Sequence, residues 1–594
     1  MKIERRTSNV ALFLASWFIV EGYANALYDY TAAIDCAANP NKPQYNGGII
    51  VNPEMNDGLN GWTSDGELKV SQTRSNNFIV AHGSVSHKVL LEKAKFYTFS
   101  AWIQVGGGGR MNLVVMAIFK TNEGYKSAGS VVAQVGCWSM LKGGITVESL
   151  SSGPAQLYFQ SNDTSAEIWV DSVSLQPFTQ DEWRSHQYQS IAKVRKGKVK
   201  FQVVDSKGRA IANANMSIKQ NKANFPFGAS MNYNIVNNAA YQKWFTSRFT
   251  VTTFENEMKW YTTESTPGKE DYSEADAMIS FTNQHGIQVR GHNIFWDDPK
   301  YQLGWVNNLP PDQLKAAADR RLNSIVSRYG KNVIAWDVNN ENLHFNYFET
   351  KLGPTITDVF FQKTSQLNPQ TRLFMNEYNT IEDEADTSSS PSKYIQKIKE
   401  IQGFVGSGGG LKLGIGLEGH FATPNIAYVR SAIDMLAATN VPIWVTELDV
   451  QAGPNQASYF EQILREVHSH PGVEGIVIWG PWSPQGKCYQ MCLVNPNFEN
   501  LPPGDVVDKL LGEWGRHTQT QSHREVVVAT DADGFVDISL FHGDYQLNVF
   551  QQKADADADA DAPTLEDQSS SSISHSFSVD AHSSPLTFKI ILPF

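Results

Sequence analysis

The sequence predicts a multidomain chain whose centre is a (β/α)8 TIM barrel, preceded by a β-sandwich of jelly-roll type and followed by a C-terminal β-appendage. Three observations predict it. Eight short apolar runs begin near Phe225, Val251, Ile287, Val333, Arg372, Lys412, Pro442 and Gly475, with 26 to 46 residues between successive starts. Each gap has room for a loop and a helix, the spacing of a βα repeat. Before these runs, and again after about His517, the pattern is short strand-like alternation broken by turn residues. An open doubly wound sheet is the alternative for the centre, but no Gly-rich phosphate loop follows any of the eight runs.

In chain order, Lys2, Arg5 and Arg6 precede the apolar run 10–20, and Ala24-Asn25-Ala26 follows it. A basic start, a short apolar stretch and a small-residue cleavage site read as a secretory signal over residues 1–26. An N-terminal anchor is the competing reading, although the run is short for a bilayer. Residues 48–177 hold segments such as 96–105, 113–119, 156–160 and 167–175, with turns at 56–58 and 106–109. Several short strands at this spacing predict an all-β sandwich. Residues 178–192 are polar and read as a linker. Residues 193–220 alternate basic and apolar side chains around a turn at Asp205-Ser206-Lys207-Gly208, and read as a small β-unit.

The barrel is expected over 225–516, with helical periodicity clearest at 316–329 and 428–439. The appendage is expected over 520–594. Within it, the alternating Ala-Asp repeat 554–561 and the serines 569–572 cannot bury an apolar face, so 553–572 reads as a disordered acidic insertion, with calcium binding the weaker reading.

Composition narrows the function. A hydrophobic share of 41% and 15 tryptophans imply packed cores. A formal net charge of −12 argues against a nucleic-acid binder, which needs a basic face. Of four cysteines, Cys488 and Cys492 are the local disulfide candidates, and zinc is disfavoured because no second ligand pair is near. Asn162-Asp163-Thr164 and Asn215-Met216-Ser217 are glycosylation sequons, consistent with export.

The barrel strands end in chemistry. The second run ends in Glu255-Asn256-Glu257-Met258-Lys259-Trp260 and the third in Arg290-Gly291-His292, with Trp296 close behind. The fourth ends in Asn340-Glu341, the fifth in Asn376-Glu377-Tyr378-Asn379 and the sixth in Glu418-Gly419-His420. The seventh brings Glu447 and Asp449, the eighth Trp479 and Trp482. One strand-end acid alone is usually a structural partner for a nearby base. Six strands sending such groups to one mouth is different, because so many polar groups without a function would cost several kcal/mol to bury. Two glutamates on separate strand ends are the minimum equipment for cleaving a glycosidic bond: one donates a proton, the other stays ionised.

Two resemblances sharpen this. Pro53-Glu54 through Gly61-Trp62 and residues 166–173 resemble the opening and closing segments of a family 22 carbohydrate-binding module, with Trp102 and Tyr158 as candidate sugar-facing residues. Where that family's binding strand is expected to carry Tyr-x-Glu, this chain has Tyr158-Phe159-Gln160. Trp336-Asp337-Val338-Asn339-Asn340-Glu341 and Val445-Thr446-Glu447-Leu448-Asp449 resemble the two active-site signatures of glycoside hydrolase family 10, and 255–260, 290–296 and 416–421 fit the same pattern. Residues 486–514 are similar to its plant branch.

The resemblance implies a retaining endo-β-1,4-xylanase with Glu341 as acid/base and Glu447 as nucleophile. Asn340 is implied to hold the sugar 2-hydroxyl, and His420 and Asp449 to orient Glu447. Asn256, Lys259, His292 and Trp296 line the non-reducing-side subsites, Trp479 and Trp482 form an aromatic floor, and Glu418 stands beside the reacting sugar. Glu418 replaces a common Gln and Asp297 a common His. No metal or cofactor is implied. The expected partner is xylan or a related β-1,4-linked wall polysaccharide, met by a secreted monomer. A xylan transglycosylase and a non-catalytic wall-binding protein are the alternatives.

Overall fold

The computed structural model describes residues 27–593 apart from 74–75, 107–111, 148–151, 162, 407–409, 517–524, 551–571 and 582–584. The signal segment, the Ala-Asp repeat and the Asn162 sequon lie outside the described residues.

The eight apolar runs form a closed parallel barrel. Its strands are β1 (Phe227–Met231), β2 (Val251–Phe254), β3 (Gln288–Gly291), β4 (Val333–Asp337), β5 (Arg372–Glu377), β6 (Leu413–Leu417), β7 (Ile443–Val450) and β8 (Val473–Ile478). They pair in the order β6-β5-β4-β3-β2-β1-β8-β7, and a further β6–β7 pairing closes the ring. Each begins within about two residues of its sequence expectation, since a strand buried on both faces must be apolar almost throughout. Val251, Ala335, Phe374, Trp444 and Val477 form one buried cluster. Arg290 lies over the Phe374 ring at 4.7 Å and pairs with the fully buried Asp337 at 2.6 Å. Large and small residues are matched across the layers: a Cβ on Gly291 would stand 2.3 Å from the Trp336 ring.

Upstream, two five-stranded antiparallel sheets form the sandwich, around a core that includes Ile79, Val85, Phe99, Val115, Leu157 and Phe159. Trp102 presents no face to a sugar. It is 3% exposed and packs with Phe78, Trp138 and Met140, while Tyr158 is half-buried with its hydroxyl on Gln156 Oε1 at 2.6 Å.

The predicted linker is instead a helix, α1 (Gln180–Val194). Thr179 caps it, accepting from the Glu182 N–H while the Glu182 carboxyl accepts from the Thr179 N–H, a reciprocal capping box. The helix is polar overall but buries Trp183, His186, Gln187 and Ser190. Trp183 Nε1 and Gln187 Nε2 each donate at 2.8 Å to the buried Glu466, and Arg430 pairs with the same carboxylate at 2.5 Å.

The sandwich also packs directly on the barrel helix α2 (Ile426–Ala437). A Cβ on Gly144 would stand 2.6 Å from the Ala427 backbone, so only glycine fits this approach. Lys142 and Asp434, both fully buried, pair at 2.6 Å across the junction.

The small β-unit and the C-terminal appendage, read as separate, are one body. Lys196–Val204 pairs with Phe535–Phe541 and Leu586–Ile591, and Asn215–Ala223 pairs with Val526–Ala529 and Gly543–Phe550. Two strands alone cannot bury an apolar face. Val199, Phe201, Met216 and Ile218 do so only against Leu547, Val549, Phe577 and Ile590, more than 300 residues further along the chain.

Candidate active site

The C-terminal strand ends open into a cleft of about 480 Å³ lined by Glu255, Asn256, Lys259, His292, Trp296, Asn340, Glu341, Glu418, His420, Glu447, Trp479 and Trp482. Tyr261, Tyr301, Tyr378 and Tyr489 line it too, and the sequence reading assigned none of them.

Beyond β4 the chain runs through a two-residue strand, Asn339–Asn340, paired with Phe295–Trp296. Glu341 then takes a left-handed conformation (φ +60°) while its N–H donates to Asn376 O at 2.9 Å. A non-glycine residue there is strained by about 1–3 kcal/mol, a cost met at functional sites where surrounding structure holds the turn. The Glu341 carboxyl accepts from Asn340 Nδ2 at 3.1 Å and is 9% exposed. Burial first, then the charges of Glu377, Glu447 and Asp298, push it up to about 8.

Glu447 lies inside β7, its N–H donating to Glu418 O at 2.9 Å. Two histidines flank it, each backed by an aspartate. His420 Nδ1 is hydrogen-bonded to Asp449 Oδ1 at 2.9 Å and presents Nε2 to Glu447 Oε2 at 3.7 Å. His292 Nδ1 meets Asp337 Oδ2 at 2.9 Å and presents Nε2 to Glu447 Oε1 at 3.8 Å. Burial opposes charge on Glu447, but the positive charge of His292 and His420 and of Lys259 outweighs it and holds the carboxyl down at about 2. The two glutamates therefore titrate on opposite sides of neutrality.

Asn376, at the end of β5, ties the site together. Its Nδ2 donates to Asn340 Oδ1 at 2.9 Å and to Glu418 Oε1 and Glu447 Oε1, each at 3.1 Å. Its Oδ1 accepts from Thr446 Oγ1 at 2.5 Å. The strand-end position was its only signal in the sequence. Glu418 is 2% exposed and takes a weaker 3.4 Å contact from Asn340 Nδ2. Burial and the charges of Glu447 and Glu341 raise its carboxyl well above the ordinary range. A neutral acid there accepts the Asn376 amide much as a glutamine carbonyl would.

Lys259, buried, holds its ammonium 4.5 Å from the Trp296 ring and 5.7 Å from that of Trp479. Trp296 is stacked on Tyr301 at 3.8 Å, and Asn256 Oδ1 accepts from the Tyr261 hydroxyl at 2.6 Å. One expectation needs correction. Trp482 is 3% exposed, with its ring between Tyr241 at 4.7 Å and Phe498 at 4.8 Å, so it supports the cleft wall and offers no stacking floor. Asp297 is fully buried away from the cleft and accepts from the Phe348 N–H at 2.9 Å, capping a neighbouring helix.

Glu418, His420 and Glu447 have the spacing to share a cation, their ligand atoms lying within 4.8 Å of one another. Although burial opposes it, hydrogen bonds to Asp449, Glu418 and Glu447 raise the His420 imidazole well above its ordinary range.

A protonated carboxyl facing an ionised one, across a cleft walled by aromatic rings and amides, is equipment for acid-assisted displacement at an acetal. The model of glycosyl hydrolase family 10 matches residues 217–499. The chain is 40% identical over 492 residues to endo-1,4-beta-xylanase 5-like of Arabidopsis thaliana, covering 82% of this chain and 84% of that protein. It is also 40% identical over 471 residues to endo-1,4-beta-xylanase 5 of the same plant, covering 78% and 81%, and 39% identical over 476 residues to its endo-1,4-beta-xylanase 4, covering 78% and 82%. Likeness of this depth, over about four fifths of the chain, places it in glycosyl hydrolase family 10.

Proposed function

We propose that this family member is a retaining endo-β-1,4-xylanase, exported to the cell wall and working on xylan as a monomer. The observation that carries the reading is the opposed state of Glu341 and Glu447: one carboxyl, just beyond β4, protonated near neutrality, the other, within β7, ionised.

In the first step the Glu447 carboxylate attacks the anomeric carbon and forms a glycosyl ester. The bond to the leaving oxygen breaks as Glu341 gives that oxygen its proton. In the second step Glu341, now ionised, takes a proton from water. The resulting hydroxide equivalent attacks the same carbon, Glu447 leaves as carboxylate, and configuration is retained overall. His420 and His292 keep Glu447 ionised before attack and after release, and Asn376 fixes the direction of one oxygen. Lys259 and the rings of Trp296 and Trp479 suit a sugar, whose edges are polar and whose faces are apolar. The xylanase names of the Arabidopsis relatives support xylan as the polymer, and the signal-like first 26 residues support export.

The test is to incubate the purified protein with xylan, cellulose and mannan and to size the products. Internal cleavage of xylan into oligosaccharides, abolished in Glu447→Ala with the fold intact, is the expected outcome. Undiminished xylan cleavage by that variant would overturn the assignment.

A further inference from the structure

After β8 the chain passes through a loop closed on itself by the Cys488–Cys492 disulfide, whose Cα atoms are 5.3 Å apart. The loop is fastened at both feet. Ser483 Oγ accepts from the Lys487 N–H at 2.8 Å and Ser483 O from the Gly486 N–H at 3.0 Å. On the return side Leu493 N–H donates to Pro481 O at 2.8 Å, while Met491 and Leu493 are each 1% exposed. Gln456 Nε2 reaches across from the start of the helix before β8 to Gln490 O at 3.3 Å.

Within this pinned turn, Tyr489 is 70% exposed. It lies on the cleft, as do Lys487 and Cys488, and its ring stands edge-on to the His420 imidazole with centroids 5.3 Å apart and planes at 66°. At 70% exposure the ring keeps most of its surface, faces included, free of protein. Trp482, expected from sequence to supply such a face, is enclosed by Tyr241 and Phe498 instead.

An aromatic side chain that a rigid segment keeps out of every core leaves apolar area in water, which burial would otherwise favour. Here that area faces a cleft whose substrate has apolar C–H faces of its own. We propose that Tyr489 is a substrate-contacting residue, its ring stacking on a xylose unit bound beside His420, and that the disulfide positions it. The negative face of an aromatic ring attracts the weakly positive C–H bonds of a pyranose. Closing the turn covalently orders Tyr489 on folding, so that little further ordering is required when the glycan arrives. The proposal rests on the xylanase reading and adds a specificity-determining contact that the catalytic pair does not supply.

The test uses the full chain with soluble xylan and xylohexaose as substrates, comparing wild type with Tyr489→Ala, Tyr489→Phe and the double variant Cys488→Ser/Cys492→Ser. Tyr489→Ala is expected to raise KM about tenfold with kcat within about twofold and the pH profile unmoved. Tyr489→Phe restores most of that affinity, because stacking uses the ring and not the hydroxyl. The double cysteine variant raises KM in the same direction by a smaller factor. An unchanged KM in Tyr489→Ala, a loss shared equally by Tyr489→Phe, or a fall confined to kcat would each overturn the stacking role. Wild-type cleavage of xylan is measured first, so a failure of the substrate reading shows there, and a failure of stacking shows only among the variants.

Discussion

Asn376 Nδ2 lies 3.1 Å from Glu447 Oε1, so an amide on β5 fixes one oxygen of the carboxylate proposed as nucleophile on β7. The same nitrogen reaches Asn340 and Glu418, which joins the acid side of the cleft to the nucleophile side through one side chain. Asn376→Ala removes the shared donor and leaves the strand intact. A hydrogen bond to a charged group contributes about 1.5–3 kcal/mol, so kcat on xylan should fall roughly 10- to 100-fold, with a smaller change in KM. Asn376→Asp should cost more, because it sets a further carboxylate against Glu418 and Glu447. Equal kcat values for Asn376→Asp and wild type would show that the amide does not position Glu447.

The pair Glu341 and Glu447 predicts the pH profile. The proposed mechanism needs Glu341 protonated and Glu447 ionised, and burial with neighbouring acids pushes Glu341 up to about 8 while cationic neighbours hold Glu447 at about 2. kcat/KM should therefore be flat through mildly acidic pH and fall through about pH 8 as one proton leaves. Glu341→Gln should erase that alkaline limb and lower kcat on xylan by roughly 10²- to 10⁴-fold. An aryl xyloside with an acidic phenol departs without a proton, so the variant should form the glycosyl ester from it far better than from xylan. A burst of phenol from Glu341→Gln, read by absorbance, checks this.

Barrel strands were legible because parallel strands buried on both faces must be continuously apolar, and because polarity resumes abruptly where the chain enters the cleft, as at Asp337 to Glu341. Many of the residues that line the cleft were legible because they sit at such an edge. What stayed hidden needs distant partners. Gln180–Val194 looked like a linker because its buried stripe contains Gln187 and His186 as well as Trp183, and these are acceptable inside because Glu466 accepts from Gln187 while the rings of Tyr28 and Phe178 pack on His186. Trp482 resembled a cleft aromatic until Tyr241 and Phe498, from distant segments, closed over it. Asn376 carried no local sign of joining three strand ends.

His344, three residues past the acid, gives a stability prediction. Its Nδ1 meets Glu377 Oε1 at 2.6 Å and its Nε2 meets Asp386 Oδ2 at 2.8 Å. Burial opposes its charge, but the two carboxylates outweigh burial and push the imidazole up to about 9. A histidine whose pKa is raised on folding adds stability that is fully present below about pH 6.5 and disappears as pH rises through about 9. The contribution is at most roughly 3 kcal/mol. The urea midpoint should thus fall between pH 6.5 and 9.5, and His344→Gln should flatten that part of the curve. An identical pH dependence in the variant would place the titrating group elsewhere.

The last prediction concerns the junction between sandwich and barrel. Lys142 and Asp434 pair at 2.6 Å with both side chains fully buried, and Asp434 also accepts from the Tyr28 hydroxyl at 2.7 Å and meets His470 Nε2 at 2.9 Å. Lys142 Nζ donates in addition to Asp29 O at 2.7 Å, so one ammonium joins the sandwich, the segment leading into it and barrel helix α2. Taking away one partner of a buried pair leaves an uncompensated charge and costs about 3–5 kcal/mol, whereas replacing both by apolar residues of similar size is often neutral. Lys142→Ala should therefore unfold at distinctly lower urea than wild type, and Lys142→Met with Asp434→Leu should recover much of the loss. Tyr28 and His470 would then lose an acceptor, so recovery should be incomplete. Gly144→Val, which drives a side chain into the Ala427 backbone, should weaken the same junction with every charge in place. If the sandwich and barrel were only loosely tethered, these variants would melt the sandwich early and leave the barrel transition unmoved. If the junction is part of one cooperative body, a single transition shifts, and xylan cleavage is lost along with it.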